Sequence, residues 1–107
     1  MAKQPKFRFS FAPEAIEHLD LIDSKCHGLL RRTINEQLTY TPTKETRNRK
    51  PLDQPAPFGA SWELRCGPDN RFRVFYEVDA AEEVVQVLAI GVKDRNRLLI
   101  GGEEYES

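Results

Sequence analysis

The sequence predicts an α+β domain: an N-terminal strand and a two-helix hairpin packed on one face of an antiparallel meander sheet. Three observations carry this reading. One alternating segment opens the chain, two segments at helical spacing follow it, and three closely spaced alternating segments fill the second half. The 107 residues, 39% hydrophobic and 31% charged, form one domain spanning 1–107. A chain of this length buries roughly 60 to 70% of its unfolded surface, enough for a single core without disulfides or a structural metal.

Phe7, Phe9 and Phe11 alternate with Lys6, Arg8 and Ser10, the period of a half-buried strand that is expected along an edge of the meander. Pro13 starts a helix at no hydrogen-bond cost, and Glu14 and Glu17 suit its positive end. This helix is expected over 13–23, with an apolar stripe of Ile16, Leu19 and Ile22 and with Glu17, Asp20 and Asp23 in water. Ser24 caps a second helix over 25–40, where Leu30, Ile34 and Leu38 recur every fourth residue. Pro42 bounds it, because the residue before a proline avoids the helical region. Residues 41–60 are rich in Thr, Pro, Arg, Lys and Asn without periodicity and read as one long polar loop. Strands are expected over 61–66, 72–78 and 83–91, joined by the turn residues Gly67-Pro68-Asp69-Asn70 and Asp79-Ala80-Ala81-Glu82. Leu98-Leu99-Ile100 is a short final element before Gly101-Gly102 and an acidic tail.

Several function classes fall away. The longest stretch without a polar side chain, Val87 to Val92, has six residues where a membrane-spanning helix needs about 20. The N-terminus lacks the apolar segment of a secretory signal, so a cytoplasmic protein is expected. Cys26 and Cys66 have no spaced partners and read as free thiols. His18 and His27 have neither cysteine nor carboxylate partners at ligand spacing, so no metal site and no cofactor is expected, and both are read as exposed helix histidines. No phosphate-binding glycine loop, dinucleotide fingerprint or nucleophile elbow is present.

The net charge of -1 conceals a strong segregation. Residues 31–50, 65–73 and 93–97 hold twelve of the sixteen Lys and Arg (Arg31, Arg32, Lys44, Arg47, Arg49, Lys50, Arg65, Arg71, Arg73, Lys93, Arg95 and Arg97) and four acids, a sum of +8 against -9 for the rest. Convergence of these windows on one face would make a polyanion site on a neutral protein. In 72–78, Phe72, Val74, Tyr76 and Val78 share one strand face and Arg73, Phe75 and Glu77 the other. Arg73 and Arg65 therefore stand mid-strand, either facing a polyanion or paired with Glu63 and Glu77. Trp62 has two readings, as a base-stacking platform and as a core residue.

Trp62-Glu63-Leu64-Arg65, Arg71-Phe72-Arg73-Val74-Phe75-Tyr76-Glu77-Val78 and Val85-x-Val87-Leu88-Ala89-Ile90-Gly91-x-Lys93 with its basic loop resemble the RelE/ParE superfamily of toxins from type II toxin-antitoxin systems. The likeness includes the N-terminal hairpin and spans nearly the whole chain. It implies a small toxin held by a cognate antitoxin. In the RelE-like branch, favoured here, such a toxin is an endoribonuclease that cleaves mRNA in the ribosomal A site with basic side chains and no metal. The RNA 2′-hydroxyl attacks the adjacent phosphate, leaving a cyclic phosphate and a free 5′-hydroxyl. In the ParE-like branch it inhibits DNA gyrase; an inactive relative that only binds its antitoxin is the third alternative.

Carried over by position, the resemblance gives catalytic roles to Arg65, Arg73, Lys93 and Arg95, with Arg73 on the scissile phosphate. It gives nucleic-acid contacts to Lys44, Arg47, Arg49 and Lys50 in the loop, and Trp62, Arg71 and Arg97 are added on charge and aromatic character. The chain departs from the pattern twice. Glu63 stands where such nucleases often have a second strand lysine, and Leu99 stands where they place a late tyrosine. Tyr105 replaces that tyrosine only if the tail folds back.

Overall fold

A computed structural model describes residues 4–106. Seven strands form one sheet: β1 (Arg8–Phe11), β2 (Arg49–Pro51), β3 (Trp62–Cys66), β4 (Phe72–Asp79), β5 (Val84–Asp94), β6 (Arg97–Ile100) and β7 (Glu103–Glu104). Two helices, α1 (Pro13–Asp20) and α2 (His27–Leu38), lie between β1 and β2 in the chain. The sheet order is β2-β3-β4-β5-β6-β7, antiparallel throughout, and β1 adds to β5 in parallel, Arg8 beside Val84 and Phe11 beside Val87. β1 thus takes the outer edge of the expected meander beside the first half of β5, and β6 takes the same edge beside its second half. A bulge where Phe75-Tyr76 faces Ala89 and Val87 leaves Leu88 as the extra residue and lets Val85, Val87 and Ile90 all join the core on one face.

Strand alternation sorts the two faces. Leu64, Cys66, Phe72, Val74 and Tyr76 meet Leu30, Ile34 and Leu38 of α2 in the main core. The Tyr76 hydroxyl donates to the carbonyl of Pro42 at 2.7 Å, so the phenol is buried without an orphaned group. The opposite face carries a smaller cluster of Ala60, Phe75, Ala89 and Ile100, with Leu52, Leu88, Leu98 and Tyr105 packed against it, beside charged side chains.

Four expectations need correction. The segment 41–60 is not one loop, because Arg49–Pro51 pairs with β3 as an edge strand. α1 ends at Asp20, and a 3-10 turn over Ser24–Cys26 precedes α2. α1 also buries other residues than expected: Ala15 and His18 are buried on it and Ile22 just beyond it, whereas Ile16 is 50% exposed and Leu21 67% exposed. His18 is consequently no surface histidine. Between the end of β1 and the start of β6, the edge of β5 lacks a strand partner, and the amide of Ile90 donates instead to His18 Nδ1 at 3.2 Å. A buried amide needs an acceptor, and that need turns His18 inward in place of the more apolar Ile16. His27 is half-buried, with Nε2 at 2.9 Å from the carbonyls of both Leu19 and Ile22.

Candidate functional site: a basic cleft around Glu63

The uncovered face of β3, β4 and β5 is built by register. Glu63 lies opposite Lys50 of β2 on one side and Phe75 of β4 on the other, and Arg65 lies opposite Arg73. Like charges directly opposite on adjacent strands repel, and the compensation is local. Glu63 Oε1 accepts from Arg73 Nη1 at 2.8 Å and from Arg65 Nε at 3.4 Å. Arg73 Nε also donates to the carbonyl of Asn70 at 3.1 Å. The Arg73 side chain is only 14% exposed, and that of Glu63 8%. Both arginines pair with Glu63.

An open cleft over this pair is lined by Lys50, Glu63, Arg73, Lys93, Glu104 and Tyr105, with Leu52, Phe75 and Leu98 as its apolar wall. Lys93 reaches it because β5 runs on past the end of β1, and its backbone amide is fixed by the carbonyl of Arg71 at 2.7 Å. Tyr105 reaches it because the tail does fold back. Gly101 and Gly102, with φ of +64° and +80°, form a two-residue hairpin turn whose left-handed backbone favours glycine. β7 then pairs with β6, and the Tyr105 amide donates to the Leu98 carbonyl at 2.8 Å.

The remaining nominated residues separate. Arg95 and Arg71 line a neighbouring polar cleft with Lys25, Asp69 and Asp94, and Lys93 borders both. Arg71 lies 6.0 Å from the Phe72 ring centroid, a cation-π contact. Arg97 pairs with Asp94 at 3.6 Å on the surface. Lys44 and Arg47 are exposed in the loop before β2. Arg49 is turned inward, 6% exposed, its Nη1 bonded to the Thr41 carbonyl and its Nε unpartnered, so its guanidinium is withdrawn from the surface the sequence assigned it to. Trp62 stacks on Tyr76 at 6.3 Å, against the helix-side core and on the face away from Glu63, Arg65 and Arg73. Arg31 and Arg32 lie on α2, behind the sheet. The +8 charge is therefore divided: Lys50, Arg65, Arg73 and Lys93 gather around Glu63, and the rest lies elsewhere.

Burial pushes the Cys66 thiol up to about 11, with Arg73 only partly opposing it, so this side chain stays protonated and un-nucleophilic at neutral pH. Cys26 is likewise a free thiol. Among the described residues no cluster of three His, Cys, Asp or Glu is placed to hold a metal ion, and no helix is long and apolar enough to cross a membrane. The site can bind an anionic group over Lys50 and Lys93 and present both a carboxylate and a phenol to it.

Sequence reasoning placed Arg65, Arg73 and Lys93 in this region and left Glu63 and Tyr105 as departures. The signal for Tyr105 was Gly-Gly after Leu98-Leu99-Ile100, a two-residue hairpin connection.

No protein-family model matches the chain, and no curated protein matches it. Among solved structures, the chain is similar to the RelE toxin of the RelBE2 toxin-antitoxin complex from Mycobacterium tuberculosis. That alignment covers 87% of this chain and 98% of the other at 18% identity, with a TM-score of 0.69. The fold is that of a RelE toxin, as the resemblance implied.

Proposed function

We propose that the protein is the toxin of a toxin-antitoxin pair and an endoribonuclease acting on mRNA at the ribosome. The observation that carries this is the gathering of Lys50, Arg65, Arg73 and Lys93 on the one uncovered face of a RelE-type fold. Cleavage of RNA by its own 2′-hydroxyl builds negative charge on the phosphorane oxygens. Fixed cations aimed at the reacting phosphate stabilise that charge more than they stabilise the ground state.

In this reading Lys50 and Lys93 hold the scissile phosphate, and Arg65 steadies Glu63 beside the cleft. Arg73, with two of its donors already committed to Glu63 and Asn70, is a positioning residue more than a phosphate ligand, a change from the role the resemblance gave it. Arg71 and Arg95, across Lys93 in the neighbouring cleft, carry the RNA backbone away from the centre, with Lys44, Arg47 and Arg97 as outer contacts. Tyr105 stands in for the tyrosine absent at position 99. The cognate antitoxin is a partner by the same reading, since the structural relative was determined as a toxin-antitoxin complex.

Induced expression in a bacterium, with growth and mRNA ends followed together, tests this. Growth arrest with new mRNA breaks is expected, and both should weaken in the Lys93→Ala variant. Arrest with intact mRNA would transfer the reading to a protein target such as DNA gyrase. Unimpaired growth would favour an antitoxin-binding relative without activity.

A further inference from the structure

We infer that Glu63 is the general base of the reaction, a role that rests on the nuclease reading above. Proton abstraction from a 2′-hydroxyl needs an acceptor. A guanidinium is never one, and an ammonium becomes one only after losing its own proton. The cleft is lined by Lys50, Arg73, Lys93 and Tyr105, and its two carboxylates are Glu63 and Glu104. Glu104 is exposed on a two-residue edge strand. Glu63 is 6% exposed in mid-sheet and clamped by two arginines.

The clamp is one-sided. Both guanidinium contacts go to Oε1, and Oε2 accepts from no side-chain or backbone donor among the described residues. It is not sealed either: the sole sealed, unpartnered side-chain polar atom there is Arg49 Nε. Oε2 is thus an unpartnered acceptor, not fully sealed, on a residue that lines the cleft, and it is oriented by bonds to its twin oxygen.

The step balances within the site. Glu63 Oε2 takes the 2′-hydroxyl proton as the 2′-oxygen bonds to phosphorus. The bond from phosphorus to the 5′-oxygen breaks, and the leaving 5′-oxygen takes a proton from the Lys93 ammonium. The products are a 2′,3′-cyclic phosphate and a 5′-hydroxyl; Glu63 then releases its proton to water and Lys93 regains one.

A carboxylate among cations could equally serve only as a counter-ion that quiets the arginines, and the two roles predict opposite signs. The test uses the full chain, an mRNA in a bacterial translation extract with cyclic-phosphate ends as readout, and affinity for a 2′-O-methyl RNA that cannot be cleaved. Glu63→Gln is expected to slow cleavage at least ~100-fold while leaving affinity unchanged or tighter. Glu63→Asp keeps the charge but withdraws both carboxylate oxygens by one methylene. It is expected to slow cleavage at least ~10-fold, and its melting temperature shows whether the fold is kept. Glu104→Gln should slow cleavage far less than Glu63→Gln does, and the reverse order would overturn the assignment. Undiminished or faster cleavage by Glu63→Gln or Glu63→Asp would overturn the assignment and leave Glu63 a counter-ion. Absence of cleavage by the wild-type chain would overturn the nuclease reading itself, and the base with it.

Discussion

The two faces of this sheet are made by the same strands and obey opposite rules. On the helix side of β3 and β4, Leu64, Val74 and Tyr76 are fully buried and contact one another and α2. One residue along each strand, Glu63, Arg65 and Arg73 hold each other through charge, with water at their margin. The first face tolerates no loss of volume. The second keeps an acid and two bases together because the register sets them within bonding distance, and its order depends on hydrogen bonds, not on packing. A protein can therefore alter its chemistry on one face with little effect on its core, provided the charge arrangement stays balanced.

That contrast can be broken most directly within β3. Leu64→Ala should cost about 2–5 kcal/mol in urea unfolding, as expected for a buried leucine leaving a cavity, whereas Arg65→Ala, one position on and 35% exposed at its side chain, should cost under about 1 kcal/mol. Equal losses would mean that the open face is as tightly packed as the core. Next in size is Arg73→Gln, which removes the 2.8 Å partner of Glu63 and should cost about 1–3 kcal/mol. In the double variant Arg73→Gln/Glu63→Gln the loss should be smaller than the sum of the two single losses, as a double-mutant cycle would show.

A smaller effect should come from His18. Burial holds its pKa below the ordinary 6.5, with Glu17 and Glu14 acting weakly the other way. As pH falls below 6.5 the unfolded chain takes up the proton first, so folding stability declines through that range. Protonation also makes Nδ1 a donor and ends its bond from Ile90. Denaturant midpoints across pH 7 to 5 should fall less steeply for His18→Asn than for wild type. The smallest change in stability belongs to Lys93→Ala, within about 0.5 kcal/mol, yet the salt dependence of RNA binding should lose roughly one phosphate contact. An unchanged salt slope would remove Lys93 from the anion site.

What the sequence made legible divides along the same line. Alternation in 72–78 sorts Arg73 from Val74 correctly because the period of a strand is local, and Leu30, Ile34 and Leu38 give the buried stripe of α2 for the same reason. The stripe of α1 was hidden, since what buries His18 is an unpaired amide 72 residues away. β2 was hidden because Arg49-Lys50-Pro51 has no pattern of its own and becomes a strand only beside β3. Glu63 was visible as an unusual residue but not as the centre of the cluster, because that follows from register across three strands.

The parallel placement of β1 also fixes an order of assembly. β3, β4 and β5 are joined by short turns and can pair as soon as they are made, whereas Arg8 finds Val84 only across 75 intervening residues. Closing so long a loop is slow relative to forming a hairpin. β1, made well before its partner β5, is therefore expected to dock late, with φ-values near zero at Phe9 and higher values at Val74 and Ala89. A nascent copy would carry the phenylalanines of β1 undocked until β5 has been made, and the sheet would close only then.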